Sequence, residues 1–217
     1  MRTTYEQQLG ELTERLGELA SVAERALQLA STALFDEDLA AAEQALDLQE
    51  NIAAAEAECR DRTVVFLALQ SPVAGDLRHV FAAVRIAENL ARMGELALHI
   101  AEAVRRRSPQ KLVPDTVDEL VRAMATFAAT IAALVTDAVT TPTLEAITRV
   151  RATDADLDAA HARLLAALEA PDWTHGVRAA IDLALIARFY ERFGDQGVDV
   201  ADRLYFFVTG RRPTTAN

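Results

Sequence analysis

The chain has 217 residues, 51% of them hydrophobic and 6% aromatic, and its 33 acidic and 22 basic side chains give a formal net charge of −11. That content is enough for a sizeable core and excludes global disorder. The acidic balance, with basic residues only in short clusters, excludes non-specific nucleic-acid binding as the main activity. Cys59 is the single cysteine, so no intramolecular disulfide can form and the cytoplasm is the expected compartment. Abundant alanine with few aromatics favours packed helices over sheets. The N-terminus lacks an apolar signal core and the longest uncharged run, Ala123 to Thr136, reads as too short to span a bilayer, so any membrane association is expected to be peripheral.

In chain order, Leu9, Leu12, Leu16, Leu19, Ala23, Ala26, Leu27 and Ala30 recur at helical spacing and predict a first long amphipathic helix from Thr4 to about Ala33. Phe35 to Asp38 supplies a turn and acids for the start of a second helix, whose apolar positions run through Leu39, Leu46, Ile52 and Ala55 to Leu69. Ser71-Pro72 ends it, because the residue before proline is biased out of the α region. A third helix runs from about Asp76 to Arg107, closed by three arginines that suit its C-terminal dipole. Ser108 to Pro114 reads as a linker. A fourth helix follows, ended at Thr141-Pro142, then a fifth from Leu144 to about Glu169, a turn at Pro171 to Thr174, and a sixth that ends near Gly210.

The two long arginine-framed stretches, residues 85–102 and 188–203, match at an offset of 100: Ile86 with Ile186, Ala87 with Ala187, Arg92 with Arg192, Gly94 with Gly194, and Ala101 with Ala201. Such a match predicts a duplicated unit. Long helices joined by short turns pack antiparallel. The expected fold is therefore all-α, with two tandem pseudo-symmetric antiparallel three-helix bundles over residues 1–108 and 109–217.

At about 100° per residue, Asp195, Asp199 and Asp202 fall within about 80° of Glu191, and the apolar Phe189, Phe193, Val200, Leu204 and Phe207 lie opposite. The spacing thus predicts a stripe of carboxylates pointing away from the core. Like charges at i, i+4 disfavour a helix by about 0.2–0.5 kcal/mol per pair, which asks for a reason beyond a solvated face. Hard oxygen ligands suit Ca, Mg, Mn or Fe. In the first copy Glu88, Glu95, His99 and Glu102 share the same layout, although Glu88 and Arg92 also read as an ordinary ion pair. A di-metal oxidase would need two inward Glu-x-x-His pairs, and the chain offers only Asp158-x-x-His161. No Gly-rich phosphate loop, nucleophile elbow or CxxC pair is present, leaving enzymatic chemistry without a visible seat.

The segments Gln70 to Arg78, Ala91 to Ala97 and Tyr190 to Asp195 resemble the PhoU family of phosphate-signalling regulators, over essentially the whole chain. The resemblance implies a three-helix bundle per repeat and, on each third helix, an acid-x-x-x-acid pair that binds iron, manganese or zinc. It carries that role to Glu191 and Asp195, with Asp199 at a polar family position. It also implies a non-enzymatic adaptor that holds down the phosphate-starvation response. The partners would be a phosphate ABC transporter ATPase and a sensor histidine kinase at the cytoplasmic membrane face, and a homodimer is the expected assembly. In the first repeat Ala91 stands where the family has Glu, Asn89 replaces an acid and Glu95 replaces Asp, while Gln196-Gly197 replaces His-Ala in the second. A metal-binding bundle with an enzymatic or storage role, or an accessory protein of another phosphate carrier, are the alternative readings.

Overall fold

The computed structural model describes residues 2–70 and 74–210, with side chains omitted for residues 2–6, 8, 68–70 and 74–79. The Ser71-Pro72 break lies outside the described residues. Seven helices are described: α1 (Arg2–Asp36), α2 (Leu39–Leu46), α3 (Gln49–Gln70), α4 (Ala74–Arg107), α5 (Asp118–Thr140), α6 (Leu144–Glu169) and α7 (Gly176–Thr209). No strand occurs among the described residues.

The second predicted helix is divided into α2 and α3. Asp38 caps α2, its carboxylate accepting from the backbone N–H groups of Ala40 and Ala41 at 2.9 and 3.1 Å, as N-cap acids do. At 47–48 the ladder tightens, with the Leu48 N–H donating to Ala45 O three residues back. Leu46 and Leu48 both pack on the core. Residues two apart on a straight helix point about 200° from each other, so both reach the core only if the helix bends between them. The other boundaries follow local chemistry. Glu37 turns the chain with φ 56°, Thr143 caps α6 through a 3.2 Å bond from the Ala146 N–H, and Gly210 closes α7 in the left-handed region at φ 67°.

Helices α1, α2/α3 and α4 pack as one bundle and α5, α6 and α7 as a second. The two join where α4 lies on α7 and α1 on α5. Helices α4 and α7 run antiparallel: Arg107 approaches Asp182 at 3.9 Å and the His99 ring lies 5.2 Å from that of Phe189. Buried residues of both bundles form one continuous core, including Leu19, Leu27, Leu90, Ile100, Met124, Ile131, Leu157 and Phe193. The predicted linker is part of it, since Leu112 and Val113 are buried. Of the arginines that close α4, Arg105 faces Glu43 at 3.6 Å and Arg107 faces Asp182.

The uncharged run Ala123–Thr136 lies within α5, whose 23 residues, with mean hydropathy 1.5 over its most apolar window, are long and apolar enough to cross a bilayer. Half of that window is buried inside the bundle, against α1, α6 and α7. This is how the central helix of an all-helical core is built.

Candidate functional site

The Glu191 stripe of α7 lies in the seam between α6 and α7, and this changes the expected geometry. Only Asp195 and Asp199 are exposed. The Glu191 side chain is 13% exposed, and Asp202 is held by Arg151 of α6, whose Nε donates to it at 2.9 Å. A single helical wheel places the acids opposite the core correctly. It cannot show that the neighbouring helix of a three-helix bundle covers one flank of that stripe.

Helix α6 brings its own acids to the seam. Asp154, Asp158 and His161 are spaced i, i+4, i+7 and so share one face. All three act electrostatically on Glu191, Asp195 or both: Asp158 on each, Asp154 in mutual repulsion with each, and His161 on Glu191. Gly194 permits this approach. A Cβ there would collide with the Asp154 carboxylate and lie 2.8 Å from Leu157 Cδ2.

Burial and crowding leave these carboxyls poorly solvated. Asp154 is pushed up to about 7, first by burial and then by Asp158, Asp195 and Glu191. Burial also raises Glu191, with Asp195 adding to the rise and Arg188 and His161 opposing it. Asp195 rises through burial and Asp158, against Arg188 and Arg192. Asp154 Oδ1 and Glu191 Oε2 are buried without a hydrogen-bond partner. Buried carboxyl oxygens left unpaired are costly. As the side chains stand, no three His, Cys, Asp or Glu groups among the described residues are drawn together tightly enough to hold a metal. The carboxyls stand splayed, with Arg188 hydrogen-bonded to Glu191 Oε1.

The equivalent seam in the first bundle is different. Ile52 meets Gly94 (2.6 Å to a Cβ there) as Leu157 meets Gly194, so Gln49 and Ala53 take the places of Asp154 and Asp158, while Ala91 takes that of Glu191. The result is a cavity of about 310 Å³ lined by Gln49, Ala53, Glu56, Ala91, Glu95 and His99, among others. Of the first-copy candidates, Glu95, His99 and Glu102 line this cavity together and Glu88 does not. Glu88 is exposed and paired with Arg85 at 2.7 Å, which replaces the expected Glu88–Arg92 pair, because Arg92 binds Glu95 at 2.7 Å instead. His99 Nδ1 lies 3.1 Å from Glu102. Asp154 is the seam residue that the sequence reading passed over, and Asp158 entered it only through the Asp158-x-x-His161 spacing. Their signal was a second acid-x-x-x-acid pair on the preceding helix.

Comparison with known proteins agrees with this two-bundle layout. The family model described as PhoU domain matches twice, over residues 16–104 and 121–204. Among curated relatives, the phosphate-specific transport system accessory protein PhoU homolog 2 of Mycobacterium tuberculosis is 41% identical over 213 residues, covering 98% of this chain and all of the relative. The homolog 1 of Mycobacterium leprae is 40% identical, covering 98% and 96%. Among solved structures, the phosphate transport system regulatory protein PhoU from Streptococcus pneumoniae superposes with a TM-score of 0.85 at 20% identity, over 97% of this chain and 99% of that one. PhoU from Pseudomonas aeruginosa gives 0.83 at 21%, over 95% and 100%. With two tandem matches to the family model and full-length relatives at about 40% identity, the chain belongs to the PhoU family.

Proposed function

We propose that this chain is a cytoplasmic accessory regulator of a phosphate-specific transport system, acting by contact and without turnover. The observation that carries this reading is its end-to-end likeness to relatives bearing that name. As an adaptor it would bind the ATPase of the transporter and a sensor histidine kinase at the inner membrane face, as a homodimer, and hold down the phosphate-starvation response. The two halves, 1–108 and 109–217, form its repeats.

A metal centre is proposed for the second repeat only. The residues there fit one: Glu191, Asp195, Asp154 and Asp158 would hold an Fe, Mn or Zn ion, with Asp199 at the rim and His161 beside it. The buried oxygens of Asp154 and Glu191 supply the reason. A bound ion would pin α6 to α7 by neutralising carboxylates that otherwise repel. In the first repeat Ala53 and Ala91 offer no ligands, so Glu88, Glu95 and His99 do not fit a centre of that kind. Arg192 and Asp195, half-buried and exposed on the outer face, are suited to recognition, where charge fixes register and excludes wrong partners.

The test is complementation of a strain lacking the gene. In metal-free protein, Arg192→Ala with Asp195→Ala should leave helicity and melting nearly unchanged, since charges at the surface contribute under about 1 kcal/mol, and the variant should fail to restore phosphate-dependent repression. The same variant should lose capture of the transporter ATPase or the kinase. Full repression by it would return the enzymatic reading to first place.

A further inference from the structure

The acidic seam contains its own cation. Arg188 Nη1 donates to Glu191 Oε1 while Glu191 Oε2 stays buried and unpaired. The Arg188 side chain is 53% exposed and that of Glu191 13%, so the arginine keeps a solvent face while the carboxylate it binds is largely covered. Arg192, one turn on, makes no ion pair among the described residues. In the first repeat, position 88 is Glu where position 188 is Arg, so no arginine stands at that position there.

Resting on the metal reading above, we infer that Arg188 is a built-in competitor of the metal, a guanidinium that stands in for the ion on Glu191 and is expelled into solvent when the ion binds. Two cations cannot share Glu191 without repelling one another. An arginine already half in water loses little by rotating away, because its stem stays packed while its head is rehydrated. Metal affinity is therefore set below what four carboxylates would give alone. Occupancy also becomes visible at the surface, since the ion-bound form presents a released Arg188 next to Arg192 and Asp195, on the face proposed for docking.

The experiment uses the full chain, stripped of metal by chelation, with Mn²⁺ and Zn²⁺ titrated calorimetrically into the parent and Arg188→Gln, and with melting followed in the metal-free state. Removing one unit charge beside the site should tighten binding about tenfold. It should also lower the metal-free melting temperature, because Glu191 loses its partner, and added Zn²⁺ should restore it. Arg178→Gln, whose partner Asp182 lies 3.8 Å away and outside the seam, should leave affinity unchanged. Binding by Arg188→Gln alone would show the competition at its strongest. Equal or weaker binding by Arg188→Gln overturns the inference and leaves the metal reading standing, whereas binding by neither protein overturns both.

Discussion

At the scale of single residues, Asp154 gives the sharpest consequence. Its carboxyl is raised from 3.8 to about 7, so in the folded chain it keeps its proton over a range where the unfolded chain releases it. A raised carboxyl of this kind supports the fold fully below the unfolded value and loses that support as pH climbs toward the folded one. Metal-free protein should therefore lose stability between about pH 4 and pH 7. Asp154→Asn should remove that loss, leaving the variant more stable than the parent at pH 8 by on the order of 1 kcal/mol, after discounting for its partial exposure. Denaturant unfolding at the two pH values checks this, and a parent whose stability rises steadily from pH 4 to pH 8 would contradict it. The sequence made Glu191 and Asp195 legible because both lie on one helix and share a period. Asp154 was not legible in the same way, since its importance comes from a neighbour 37 positions away in the chain and from burial that no single-helix projection contains.

At the scale of elements, the glycines record how closely helices approach. A Cβ on Gly197 would stand 2.5 Å from Ile131 Cγ2, a fully buried β-branched side chain with little freedom to move. Gly197 occupies the position where the family resemblance implies alanine, so here Ile131 fills that space. Gly197→Ala should cost about 1–3 kcal/mol through overpacking despite the better helix propensity of alanine. Gly10, in α1 with nothing within 4 Å of its Cβ position, is the control: Gly10→Ala should stabilise by about 0.5–1 kcal/mol. Thermal melts of the two variants should move in opposite directions. Helix ends marked by proline and glycine were readable, as at Thr143 and Gly210. The break between α2 and α3 was not, because no proline or glycine marks 47–48 and the bend is imposed by packing of Leu46 and Leu48 on a core that only the folded chain supplies.

At the scale of the whole molecule, the repeat read from the sequence predicts two bundles and the structure adds how firmly they are joined. Helix α4 lies along α7 and α1 along α5. The Tyr190 hydroxyl on α7, fully buried, lies 3.0 Å from Ser31 Oγ on α1, a polar link between the bundles inside the shared core. Leu112 and Val113 bury the connection itself. Separating the halves would expose the facing sides of α4 and α7, where the buried Met93 lies 3.8 Å from the Cβ position of Gly197 and the His99 ring lies near that of Phe189. Exposing such a side chain costs about 1.5–3 kcal/mol, against a total stability of roughly 5–15 kcal/mol for a typical protein. Neither half should therefore stand alone, although the family model matches each separately. The full chain should unfold in one transition, with helicity and Trp173 fluorescence changing together. Fragments 1–108 and 109–217 should each show weak, non-cooperative melting and should regain a cooperative transition when mixed. Two resolved transitions in the full chain, or a cooperatively folded isolated half, would show that the bundles are independent domains tied by a linker.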